Sequence, residues 1–215
     1  MKNTSKAILS LILIMALAPA SITLKKAPAD ISPTEIQKNS KSISPETLTF
    51  LDSGSGRQIT RSTKSLVYSL TGAAIDDNFT PDEVKALSIA FHTQLCHDNS
   101  VHSLTIDTAD STVFLSHEAL SSKFGNNYTT MRSFCDNVYD TLILQSDKPA
   151  QLNLRFTSSP RETTDSPFSA ANPFSSLFNG NIHFSSDCLT PEAAKLMSLQ
   201  GNTYSEILYC FCNVC

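Results

Sequence analysis

Residues 80 to 97 read Thr-Pro-Asp-Glu-Val-Lys-Ala-Leu-Ser-Ile-Ala-Phe-His-Thr-Gln-Leu-Cys-His, and this stretch constrains the fold more than any other. Thr80 can accept the amide proton of Glu83 while Glu83 reaches back to Thr80, and Pro81 suits the first helical position, where no amide proton is needed. Asp82 and Glu83 meet the positive end of the helix dipole. At about 100° per residue, Val84, Leu87, Phe91 and Leu95 fall in one narrow stripe. The spacing predicts a helix laid against a core. Cys96 stands at its end, where a crosslink is expected to begin.

The N-terminus bears on how that cysteine is read. Lys2 and Lys6 precede an apolar run from 7 to 18, and Ala18-Pro19-Ala20 offers small residues at the positions a signal peptidase reads. Cleavage is expected after Ala20, and the location is secreted or periplasmic. The run is shorter than the roughly 20 residues a spanning helix needs. No later run is long and apolar enough to span a bilayer, so no stable membrane insertion is expected. In an oxidising compartment, Cys96, Cys135, Cys188, Cys210, Cys212 and Cys215 read as partners in up to three disulfides.

Residues 21 to 64 are rich in Ser, Thr, Lys and Pro, with seven basic residues against four acidic. They read as a flexible basic leader, with a helical turn or two after Ser44 stopped by Gly54-Ser55-Gly56. Those glycines lack the Gly-Lys-Ser or Gly-Lys-Thr ending of a phosphate loop. From 65 to 215, seven basic residues face sixteen acidic ones. That balance argues against nucleic acid as a partner and against anionic membrane surfaces.

Within 65 to 215, Leu66, Tyr68 and Leu70 alternate as in a strand. Asp76-Asp77-Asn78 lacks the spacing of a calcium loop and reads as a polar turn. Residues 101 to 106 and 112 to 115 suggest a hairpin. Ser116 caps a short helix to Phe124, and a longer helix runs from 129 to about 141 with Met131, Phe134, Cys135, Val138 and Leu142 on one side. Cys135 therefore lies on a buried face, with Cys96 as a candidate partner. A half-buried strand is expected at 152 to 156 and a short one at 182 to 184. Thr190-Pro191-Glu192 starts a helix that Gly201 stops, and the segment from Tyr204 fits helix or strand. The fold class is α+β: a single disulfide-stabilised domain over 65 to 215, with a short antiparallel sheet packed by two longer helices and a C-terminal helix.

Several residue sets suggest chemistry. His92 and Cys96 share a helix face and, with His97 and His102, form an alternative metal set. Disulfides are the competing reading there and for Cys210, Cys212 and Cys215, where the pair at 212 and 215 also has redox spacing. Cys96, His97 and Asp98 supply the residue types of a thiol hydrolase, but adjacent helical residues point in different directions. No Gly-x-Ser-x-Gly elbow is present, and His117-Glu118 lacks the second histidine of a zinc protease helix. Asp76-Asp77 would serve glycoside cleavage only with a partner across a cleft. Asn78 and Asn127 begin glycosylation sequons.

Residues 157 to 180 lose all periodicity and carry Phe168, Asn172, Pro173, Phe174 and Phe178. Proline-stiffened phenylalanines make anchors for a protein partner, or else fold back over the core. The sequence therefore points to a secreted, non-catalytic binding or effector-type protein acting on another cell or the cell envelope, with no cofactor implied. The alternatives are a secreted hydrolase with a His/carboxylate site formed in the fold and a metal-binding protein using His and Cys.

Overall fold

In the computed structural model the described residues are 35–38, 43–152, 154 and 189–212. They belong to one compact unit within 31–215. The chain runs through β1 (Glu35–Lys38), β2 (Thr47–Asp52), β3 (Arg57–Ser62), α1 (Thr63–Ala74), α2 (Pro81–Ser100), β4 (Thr105–Ile106), α3 (His117–Phe124) and α4 (Tyr128–Val138). It continues through β5 (Thr141–Gln145), β6 (Lys148–Pro149), α5 (Pro191–Leu199) and α6 (Tyr204–Cys212). The class is α+β as expected, but the strands form two small sheets. One has the order β1-β5-β6 and is antiparallel; the other has the order β3-β2-β4, with β2 parallel to β4.

Helix α2 forms as its first four residues require. Thr80 accepts from the Glu83 amide at 3.3 Å, and a Glu83 carboxylate oxygen accepts the Thr80 amide at 3.1 Å. Its burial goes beyond the expected stripe. Ala86, Ser88, Ile89, Ala90, His92 and Thr93 are buried along with Val84, Leu87, Phe91 and Leu95, because α1, α4, α5, α6 and β5 all pack against this helix. Small residues on several faces let those neighbours approach closely. The Thr93 hydroxyl donates to the Ile89 carbonyl and accepts from the Ile143 amide at 3.0 Å, which joins α2 to the central strand β5. At the start of α2, the Thr80 hydroxyl donates to Ser198 Oγ at 2.6 Å, and Asp82 accepts the Tyr204 amide at 3.1 Å.

Four expectations are corrected. The strand expected at Leu66 to Leu70 is part of α1, started by Ser62 accepting from the Ser65 amide; Leu66, Val67, Tyr68, Ser69 and Leu70 are all buried, so no one-sided helical pattern is visible. Part of the region expected as flexible leader is folded. The β2–β3 hairpin buries Leu48, Phe50 and Asp52 on alternate positions and turns at Gly56, whose φ is +68°. The expected hairpin at 101 to 115 is absent: α2 continues to Ser100, and the two residues of β4 pair with β2. Asp52 instead pins this loop by accepting the Thr108 amide at 2.9 Å and hydroxyl at 3.0 Å, together with Ser55. Hydrogen bonds from Ser55, then Thr108, lower its pKa to about 2. Finally, α4 stops at Val138, and Thr141–Gln145 forms β5.

The short helix after Ser116 and the helix after Thr190 form as expected, and the segment from Tyr204 is helical. Gly201, at φ +89°, follows α5. Of the strand expected at 152 to 156, Leu154 makes one isolated parallel bridge to Leu189, while the strand expected at 182 to 184 lies outside the described residues. Among the described residues no helix is long and apolar enough to cross a membrane.

Candidate functional site: a cationic cleft beside α1

The cap residue Ser62 and the first two turns of α1, with Lys64, Ser65, Tyr68 and Ser69, line a cleft of about 310 Å³. The opposite wall is built from α3, which supplies His117 and Leu120, and from α4, which supplies Tyr128 and Arg132 one turn apart. Four-residue spacing brings Tyr128, Arg132 and Asp136 onto one side of α4.

Arg132 is the central cation. Its guanidinium carbon lies 4.9 Å from the ring centroid of Tyr68 and 5.6 Å from that of Tyr128, within cation–π range of both rings. Its Nε is buried and has no hydrogen-bond partner among the described residues. Lys64 lies 2.9 Å from Asp136, which raises its pKa, and 5.9 Å from the Tyr68 ring centroid. Tyr68 also donates to Asp136; burial first, and then that carboxylate, raises its phenol pKa. His117 Nδ1 sits 2.7 Å from Tyr128 Oη, with the rings edge to face. Arg132 and Lys64 thus face one carboxylate, in a chain whose net charge is −4. No acidic residue occupies the first turn of α1, so the positive end of its dipole adds to theirs.

A second cleft, of about 410 Å³, lies at the other end of α1 and is lined by Asp76, Asp77, Glu83, Glu192, Lys123 and Lys195. Its polar groups are largely engaged with one another. Lys123 donates to the carbonyls of Gly72 at 2.9 Å and Ala73 at 3.4 Å, Lys195 pairs with Asp76, and Glu83 completes the α2 cap. Burial pushes the Glu83 carboxyl up to about 7. A third groove of about 310 Å³ is more apolar, with Leu70, Phe91, Leu95, Leu104 and Ile106 among its lining residues.

The sequence-predicted residues are dispersed. His92 is buried, its Nε2 2.7 Å from Ser44 Oγ and its ring stacked on Tyr139 with centroids 4.7 Å apart; burial pushes its pKa down to about 4. Cys96 is buried beside Leu142 and Leu144, and its thiol is pushed up to about 11 by burial. His97 Nδ1 lies 3.1 Å from the Pro149 carbonyl oxygen, and His102 occupies an exposed turn at φ 55°. These four residues do not converge, and among the described residues no group of three or more His, Cys, Asp or Glu side chains is arranged to hold a metal.

The bridge expected between Cys96 and Cys135 is not formed, and both are free thiols, as is Cys210. Cys135 packs in the main core, 3.8 Å from the Met131 sulfur, whereas Cys96 belongs to a separate cluster with Leu142 and Leu144. Burial pushes Cys135 up to about 12 and raises Cys210, leaving these thiols protonated and poor nucleophiles. Cys188, Cys215 and the side chain of Cys212 lie outside the described residues, as do Phe168, Asn172, Pro173, Phe174 and Phe178.

Sequence reasoning noticed His117 but missed Lys64, Tyr68, Tyr128 and Arg132. The only local signal was the repeat of Tyr128, Arg132 and Asp136 at four-residue spacing. No protein-family model and no curated protein sequence matches this chain.

Proposed function

We propose that the chain is an exported, non-catalytic binding protein whose recognition face is the cleft between α1, α3 and α4. The observation that carries this reading is the setting of His117. It is the histidine lining this cleft, and its Nδ1 is paired with the Tyr128 hydroxyl, in surroundings dominated by cations and aromatic rings. A general base of the Ser-His-Asp kind is oriented by a carboxylate and adjoins a nucleophile. A cleft walled by Arg and Tyr has the composition of a recognition site. The partner is a protein on another cell or on the envelope, and the phenylalanines at 168, 174 and 178 are proposed as additional anchors.

The test is cross-linking mass spectrometry on the mature protein incubated with envelope and cell-surface material. The expected outcome is a specific cross-link at Lys64 to a partner whose mass is unchanged. Cleavage of that partner, or of any peptide, ester or glycoside in a substrate panel, would replace the binding reading with the hydrolase one. N-terminal sequencing of the mature chain is expected to begin at Ser21. Strong hydrogen-exchange protection across residues 157 to 180 in the isolated protein would remove the phenylalanine anchors from the proposal.

A further inference from the structure

We infer that the cleft between α1, α3 and α4 is an oxyanion site that takes a phosphoryl or carboxylate group carried by the partner, with Arg132 as its bidentate anchor. The inference rests on the binding-protein reading and names the chemistry that the partner presents. The argument begins with the Arg132 Nε–H, which is buried without a protein acceptor among the described residues. A buried donor that stays unpaired is costly, and such groups are rare unless something satisfies them. The guanidinium carbon lies 4.9 Å from the Tyr68 ring centroid and 5.6 Å from that of Tyr128, and the side chain also hydrogen-bonds Tyr68, so its position is restricted while Nε stays unpaired. An oxyanion with two oxygens can accept from Nε and a neighbouring Nη at once, the geometry in which arginine binds carboxylates and phosphates most strongly.

The surroundings favour the same charge. The start of α1 carries no acidic residue in its first turn, and Ser62 and Ser65 line the cleft beside it. Asp136 opposes an incoming anion, but it is already occupied by Lys64 and by the Tyr68 hydroxyl. One carboxylate against Lys64 and Arg132 leaves the cleft net positive. The volume of about 310 Å³ accommodates an anionic group together with part of its carrier. The rest of the chain limits the size of that carrier. The chain's net charge of −4 disfavours an extended polyanion. A single oxyanion on a protein fits both facts.

The experiment titrates the whole mature chain with inorganic phosphate and, separately, with acetate at constant ionic strength, following amide chemical shifts. Saturable one-site binding by one or both anions is expected, with shifts centred on Ser65, His117 and Arg132. Phosphate alone identifies a phosphoryl carrier, acetate alone a carboxylate carrier, and both sustain the inference. Arg132→Gln is expected to weaken binding roughly ten-fold or more, and Arg132→Lys nearly as much, because an ammonium lacks the guanidinium fork. Lys148→Ala, at an exposed lysine in β6, serves as the control and is expected to leave affinity unchanged.

Failure of both anions to saturate would overturn the inference, as would wild-type affinity in a folded Arg132→Gln chain. Should Arg132→Gln not fold, Arg132→Lys and Lys64→Met carry the test, and wild-type affinity in both would overturn it. A partner bound equally by wild type and Arg132→Gln would remove the oxyanion chemistry and leave the binding-protein reading in place. Turnover of the partner would remove that reading independently.

Discussion

The two ends of α1 open onto two clefts of opposite character. At the amino end Arg132, Lys64 and His117 gather around the positive pole of the helix; at the carboxyl end Asp76, Asp77, Glu83 and Glu192 gather around the negative pole. In both places these side chains carry the sign of the α1 pole they surround, and at the carboxyl end Glu83 and Glu192 also meet the positive starts of α2 and α5. The difference lies in compensation. The carboxyl end receives two lysines, one on the last carbonyls of α1 and one on Asp76. The amino end receives Asp136, already engaged by Lys64 and Tyr68, while Arg132 keeps a buried donor unpaired. The larger cleft is therefore largely internally satisfied, and the smaller one retains binding capacity.

The strongest way to break this contrast is at Glu83. Its folded pKa is raised to about 7, so between about 4.5 and 7 the unfolded chain ionises while the folded chain stays protonated, and stability falls as pH rises. Glu83→Gln is expected to abolish that loss, a difference of about 3 kcal/mol above pH 7, measured by urea unfolding at several pH values. His92 acts in the opposite sense. Its folded pKa is lowered to about 4, so stability is lost as pH falls from about 6.5 towards 4. In the Glu83→Gln chain the His92 slope is expected to emerge against only the weaker opposition of Asp98 and Glu192, whose carboxyl pKa values burial also raises; a flat profile below pH 6.5 would contradict this account.

A change at Gly72 acts on the contact between α1 and α3, which both contribute residues to the two clefts. A Cβ there would lie 2.2 Å from Leu120 Cδ2 and 3.3 Å from Phe124, and Leu120 is only 1% exposed. Gly72→Ala is expected to lower stability by about 2 kcal/mol in thermal unfolding, overriding the helix propensity of alanine. Because Leu120 lines the cationic cleft, anion affinity is expected to fall with it. Lys123→Met, which removes the donors to Gly72 and Ala73, is expected to cost about 1 kcal/mol in urea unfolding. Lys195→Ala is expected to cost under about 0.5 kcal/mol, because its pair with Asp76 has side-chain exposures of 26% and 54%. A larger loss at Lys195 than at Lys123 would reverse the assigned order of compensation.

Features decided within four residues were the ones legible in the sequence. The caps at Thr80, Ser116 and Thr190 needed no knowledge of the rest of the chain, and each started a helix where expected. Residues in α1 and β5 were misread because burial hides periodicity. Leu66 to Leu70 are enclosed on several sides, and Thr141 to Leu144 are buried on both strand faces, so neither segment shows one apolar side. Leu48 and Phe50 did alternate with Thr47 and Thr49, but Leu51 breaks the pattern and the serine- and threonine-rich surroundings masked a real hairpin. The cleft was least legible, since Lys64, His117 and Arg132 are brought together by packing among three helices. Cys135 was correctly placed in the interior; its partner was not, because burial of two cysteines does not place them side by side.

The ties between Thr80 and Ser198, and between Asp82 and Tyr204, span 118 and 122 positions along the chain. The helix at the centre of the core is thus finished at its amino end by residues synthesised long after it. Until α5 and α6 emerge, α2 has only α1, α4 and the β-strands to pack against, and the part of its surface that α5 and α6 cover stays open. Contacts so distant in sequence are costly to close, so completion of the core is expected to be a late step in folding.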